Sequence, residues 1–78
     1  MSTPIDDALA VDLAMDDDEL HVRIDDGRVV SVPLVWFPRL AGASVVDRSE
    51  WTLIGAGQGI HWPRLDEDIS IAALLRER

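Results

Sequence analysis

Leu20-His21-Val22-Arg23-Ile24, then Asp25-Asp26-Gly27, then Arg28-Val29-Val30-Ser31-Val32 is the stretch that decides the fold. Apolar and polar residues alternate on both sides of the Asp-Gly, which marks two strands joined by a tight hairpin. The register follows from which faces match. A two-residue Asp26-Gly27 loop would set Val22 opposite Ser31. A three-residue loop with Gly27 in the left-handed conformation sets Val22 opposite Val30 and Leu20 opposite Val32. Only the second gathers five apolar side chains on one face, so the three-residue loop is expected.

Working outward toward the N-terminus, Asp16-Asp17-Asp18-Glu19 reads as a charged turn, and Ala8 to Met15 again has period two. Strict alternation would put Leu9, Val11, Leu13 and Met15 on one side and Ala8, Ala10, Asp12 and Ala14 on the other. The three strands form an antiparallel meander. Residues 1–7 read as a loose, polar start.

Toward the C-terminus, Pro33 ends the third strand because it has no N–H to give a ladder. A short helix is expected over Val35–Ala41, with Pro38 in its first turn and Gly42 as its stop. Ser44 and Asp47 match the S-x-x-D/E capping pattern, so a second short helix should run to about Trp51. Thr52-Leu53-Ile54 is a short extended piece. Gly55, Gly57 and Gly59 make a sharp connection, and Ile60-His61-Trp62 is extended up to Pro63. Leu65 to Asp68 should lead into a last helix capped by Asp68 or Ser70, with Ile71, Leu74 and Leu75 on one stripe. The expected architecture is α+β: a three-stranded antiparallel meander, two short helices, a short fourth strand, and a C-terminal helix packed on the sheet.

The chain has 78 residues, of which 47% are apolar and three are Trp. That is room for a single domain, residues 1–78, with a thin core to which pairing with another chain, including a second copy, would add stability. Cysteine is absent, which removes disulfides, thiolate nucleophiles and Cys-ligated zinc. All seven basic residues are Arg, so neither a Schiff-base nor a phosphate-binding lysine exists. The start carries two acids and no base, unlike a secretory signal, and no apolar run approaches the ~20 residues of a membrane span. The expected location is the cytoplasm.

The net charge of −8 is unevenly placed. Residues 1–26 hold nine acids and one Arg, which is −8, and residues 27–78 hold six of each, which is zero. Such a face repels nucleic-acid backbones and anionic membranes and attracts a basic partner.

Certain blocks resemble a known family. These are Asp26-Gly27-Arg28 with Val32-Pro33-Leu34, Trp36-Phe37-Pro38-Arg39-Leu40, Leu53-Ile54-Gly55 with Gly57 and Gly59, and above all Gly59-Ile60-His61-Trp62-Pro63-Arg64-Leu65-Asp66-Glu67-Asp68-Ile69-Ser70. They resemble the bacterial family called domain of unknown function 2442, over roughly Val11 to Leu75. Phe37 stands where that family usually has Tyr, and Val45-Val46-Asp47-Arg48 stands where it usually has a Pro-Glu-Glu-Arg-like turn. The resemblance brings no activity, cofactor or catalytic residue to transfer. It implies an interaction role, because members are often encoded beside another small protein in pairs that look like toxin–antitoxin modules. Some relatives add a helix-turn-helix that this chain is too short to include.

Four constellations bear on function. His61, Arg64, Asp66, Glu67 and Asp68 are the sharpest: a His base beside carboxylates, or a His/Asp metal site. A metal needs three or four converging ligands, and adjacent acids on a loop point apart and often cap a helix. The expectation is therefore a structural block, and the alternative is a small enzyme or metal-binding domain centred on His61 and Asp66–Asp68. Gly55-Ala56-Gly57-Gln58-Gly59 is G-x-G-x-G followed by an extended piece, not the G-x-G-x-x-G of a dinucleotide site. Asp16 to Glu19 lacks the spacing of a calcium loop. Trp36, Phe37, Trp51 and Trp62 have no basic stripe with which to stack bases, which disfavours the third reading, a nucleic-acid-binding regulator. The favoured reading is a small acidic protein-interaction module, the antitoxin-like half of a two-gene pair, with a basic partner encoded by an adjacent gene. Its expected surface is Trp36 and Arg39 together with Asp16, Asp17, Asp18 and Glu19. No catalytic, cofactor-binding or metal-binding residue is assigned.

Overall fold

The computed structural model of the chain describes residues 8–76; the expected loose start, residues 1–7, lies outside them. The meander is present as β1 (Ala10–Met15), β2 (Glu19–Ile24) and β3 (Val29–Pro33), antiparallel in the order β1-β2-β3. Val22 pairs with Val30 and Leu20 with Val32, the register of the three-residue loop. Gly27 sits at φ 97° and donates its N–H to the Ile24 carbonyl at 3.0 Å. Leu20, Val22, Ile24, Val30 and Val32 are all buried, so the register is the one that collects the apolar face.

The expected phase of β1 is corrected by a bulge between Ala10 and Asp12. Val11 is the extra residue and is half exposed, while Ala10 and Leu13 both turn into the core. Positions three apart share a face only when an inserted residue resets the alternation. The reset serves a contact on the other edge of β1, where the Ala10 N–H reaches the Gly57 carbonyl at 2.8 Å.

The helical middle is shorter and more broken than Val35–Ala41. Leu34–Trp36 form a 3-10 turn, Phe37 leaves helical geometry at φ −127°, ψ 81°, and α1 (Pro38–Ala41) starts afresh. Proline disfavours the helical conformation in the residue before it, and its own missing N–H costs nothing at the first helical position. Gly42 is the C-cap. In α2 (Val45–Ser49) the Ser44 hydroxyl accepts the Asp47 N–H at 3.1 Å, as the capping pattern requires, but the helix stops two residues before Trp51.

A second three-stranded antiparallel sheet follows: β4 (Thr52–Ile54), β5 (Gly59–Trp62) and β6 (Glu67–Ser70), in the order β4-β5-β6. Its third strand is the main departure from expectation. Residues 67–70 pair with β5, Ile60 opposite Ile69 and His61 opposite Asp68, instead of opening the last helix. α3 (Ile71–Arg76) begins directly afterwards, with the Ser70 hydroxyl accepting the Ala73 N–H at 3.3 Å. Ser70 takes the capping role and Asp68 does not. Ile71, Leu74 and Leu75 are buried as the stripe demanded, in one cluster with Trp62, Ile60 and the inner face of the first sheet.

Candidate functional site

Trp62 organises the region around the His61–Asp68 block. Its side chain is wholly buried and its indole N–H donates to the Arg48 carbonyl at 3.0 Å, which satisfies the one polar atom a buried Trp carries. Arg48 in turn donates from Nε to the Leu40 carbonyl and from Nη2 to the Ala41 carbonyl, both at 2.9 Å. Its planar fork closes the C-terminal end of α1 and holds α2 against it. Arg64 pairs with Glu50 and lies 3.8 Å from Asp47.

The block itself scatters. His61 points from β5 to the outer face of the second sheet, where its Nδ1 meets Oδ1 of Asp68 on the neighbouring strand. Asp66 sits at the left-handed φ of 51°, and its backbone carbonyl accepts from Arg39 Nη1 at 2.7 Å. The Glu67 carboxylate accepts the Asp68 N–H at 3.2 Å. Arg64 faces α2. Of the five residues, only His61 and Asp68 come together. A carboxylate that orients an imidazole leaves Nε2 able to take a proton; Asp68 lines two grooves, one with Trp36 and Phe37 and one with Ile54 and Gln58, and His61 lines neither of these two. Two ligand groups are also one short of the smallest metal set.

The acidic turn holds a cluster that the sequence did not reveal. Asp16 accepts the amides of Asp18 at 2.8 Å and Glu19 at 2.7 Å through Oδ1, and His21 Nε2 at 2.9 Å through Oδ2. The other ring nitrogen of His21 meets the Ser31 hydroxyl at 2.6 Å. With the proton on Nε2, the ring donates to Asp16 and accepts from Ser31, and both bonds are satisfied. The His21 donation, then the two amides, hold the Asp16 carboxyl at about 2, below its ordinary 3.8. Asp16, Glu19 and His21 are, among the described residues, the one group of three whose ligand atoms could meet around an ion, within 4.8 Å of one another. The Asp16 and His21 atoms are already spent on the turn. The signal in the sequence was Asp16 five residues before His21, across a hairpin. It is visible only once the β1–β2 register is known.

The residues expected to form one interaction surface fall on two. Trp36, 48% exposed and the most exposed aromatic, lines a groove of about 510 Å³ with Phe37, β6 and the start of α3. Asp16 and Asp17 rim another of about 280 Å³, between β1 and α2, whose floor includes Met15, Val45 and Trp51. Arg39 is tied to the Asp66 carbonyl. The glycine run is a hairpin turn between β4 and β5 that packs on β1, not the strand-to-helix loop of a phosphate site. No described helix is long and apolar enough to cross a membrane.

A crystal structure of a protein of unknown function from Rhodospirillum rubrum ATCC 11170 resembles this chain with a TM-score of 0.78 and 26% sequence identity, over 91% of this chain and 88% of that one. No curated protein matches it. The family model described as "Protein of unknown function (DUF2442)" matches residues 10–78, which takes in both sheets and all three helices, and the chain belongs to that family.

Proposed function

We propose that this chain is a protein-interaction module that takes a basic protein partner on the surface of its first hairpin, as the neutralising half of a two-gene toxin–antitoxin pair acting in the cytoplasm. One observation carries the reading. Asp17, Asp18 and Glu19 stand exposed at the β1–β2 turn, and among the described residues no Arg or His makes an ion pair with them. Four arginines of the rest of the chain are engaged elsewhere: Arg28 with Asp26, Arg64 with Glu50, and Arg39 and Arg48 with backbone carbonyls. Folding leaves the three acids of this turn without a cationic side chain among the described residues. An uncompensated acidic patch speeds encounter with a cationic surface and selects against anionic ones.

The adjacent gene's product is the first partner to try, as the family resemblance implies. Co-expression and purification at low ionic strength should yield a complex that salt dissociates. The variant Asp17→Lys/Asp18→Lys/Glu19→Lys should fold and lose that complex. A complex that forms equally well with this variant would remove the acidic turn from the account. Failure of the wild-type pair to co-purify would remove the partner.

A further inference from the structure

We infer that the partner docks as an extended segment added to the open edge of β1, in the groove between that edge and α2; the inference rests on the basic-partner reading above and specifies its site. Three consecutive residues, Leu13, Ala14 and Met15, line this groove. Successive side chains of a strand point to opposite faces, so a groove bordered by three in a row runs along the backbone edge.

The edge is closed along most of its length and open at one end. The Ala10 N–H is taken by the Gly57 carbonyl at 2.8 Å, and the Leu13 N–H by the neighbouring Asp12 carboxylate at 2.8 Å. The Asp16 backbone N–H donates to the Glu19 carbonyl across the hairpin, so by antiparallel alternation the backbone groups of Ala14 and Asp12 also face β2 while those of Met15 and Leu13 face outward. The Met15 N–H and C=O and the Leu13 C=O are thus left for an incoming strand. The acid on Leu13 guards the rest of the edge against indiscriminate pairing, a common device on edge strands.

The occupant's chemistry follows from the walls. Met15 and Trp51 are half-buried and Val45 is 80% exposed, so one apolar side chain has a floor and a flank. Asp16 and Asp17 close one end, and Asp17, which makes no ion pair with a described Arg or His, supplies the complement for Lys or Arg beside that anchor. Arg48 also lines the groove, but its guanidinium is bound to the Leu40 and Ala41 carbonyls. The backbone groups left free on Met15 and Leu13 lie along the β1 wall of this groove, and only an extended backbone can pair with them, so the segment enters as a strand. Strand addition draws affinity from backbone bonds and specificity from alternate side chains. The expected ligand is therefore a short basic stretch with apolar residues at alternate positions.

The test uses a synthetic peptide of alternating Lys and Val, the same peptide N-methylated on the amides that would face β1, and a Glu/Val counterpart, each titrated into the full ¹⁵N-labelled chain at low ionic strength. The Lys/Val peptide should shift the amides of Leu13, Ala14 and Met15 and the Trp51 indole. N-methylation should weaken it by about tenfold or more, as the loss of two backbone bonds implies. The Glu/Val peptide should not bind. Met15→Pro removes the outward N–H without touching the β1–β2 ladder and should weaken binding to a similar degree. The N-methylated peptide gives the same answer with no variant to fold. Shifts confined to Asp16–Glu19, with N-methylation harmless, would overturn strand addition and leave the charge-led reading standing. Shifts at Asp68–Ser70 would overturn it in favour of the β6 edge. No peptide binding while the intact adjacent-gene product binds would overturn the inference alone; no binding by either would overturn both.

Discussion

Gly57 and Ala10 lock the two sheets together through backbone alone: the Ala10 N–H donates to the Gly57 carbonyl at 2.8 Å, and a Cβ built on Gly57 would stand 2.3 Å from the Ala10 oxygen. Gly57 also holds φ 110°, which side chains rarely adopt. Only glycine satisfies both conditions, and the contact sits at the bulge that sets the phase of β1.

Gly57→Ala should therefore destabilise the chain by roughly 2–4 kcal/mol, from a strained backbone and an unavoidable overlap. Gly27→Ala is the control. Gly27 has φ 97° but nothing within 4 Å of a built Cβ, so it should cost only about 1 kcal/mol. Urea denaturation of the two variants separates overlap from strain.

Trp62→Phe should cost about 2–4 kcal/mol, because it leaves a void in the core and strands the Arg48 carbonyl. Arg48→Lys keeps the charge but cannot span the Leu40 and Ala41 carbonyls together, and should cost about 1 kcal/mol. Both are read from denaturation midpoints.

Much of the fold was written in local pattern. The Asp-Gly turn and the alternation around it determine the β2–β3 register because a slip by one residue would expose Val30 and Val32. Ser44 announces its helix because the cap is made within three residues. The bulge at Val11 was not legible, since the contact that sits beside it, Ala10 with Gly57, is made by a residue 46 positions on. Nor was β6: Asp66-Glu67-Asp68 before Ile-Ser has the charge of a helix start, and only the pairing of Ile69 with Ile60 makes it a strand. The excess of acid in residues 1–26 could be counted directly. The groove beside it could not, because it exists only where Arg48 and Trp62 bring α2 alongside β1.

The Asp16 carboxyl should titrate near pH 2 in a ¹³C-detected NMR experiment. The sign of its effect on stability follows. Its folded pKa lies below the unfolded value near 3.8, so its contribution is complete above that value and is lost as pH falls from 3.8 toward 2. Asp16→Asn should flatten the loss of stability over that window relative to the parent. An unchanged acid limb would show that the turn bonds do not distinguish the folded state.

Ser44→Ala should cost about 1 kcal/mol through loss of the α2 cap. The same variant should loosen the wall that Val45 and Ser49 present to the β1 groove, and so weaken the Lys/Val peptide more than it weakens attraction to the turn.

The central claim is that unpaired acids at the β1–β2 turn recruit a basic protein. Stopped-flow association with the adjacent gene's product, measured across ionic strength for the parent chain and for Asp17→Lys/Asp18→Lys/Glu19→Lys, tests it most directly. The account predicts a rate that falls steeply with salt in the parent and is about tenfold or more slower at low salt in the variant. Equal rates in the two proteins, insensitive to salt, would contradict it.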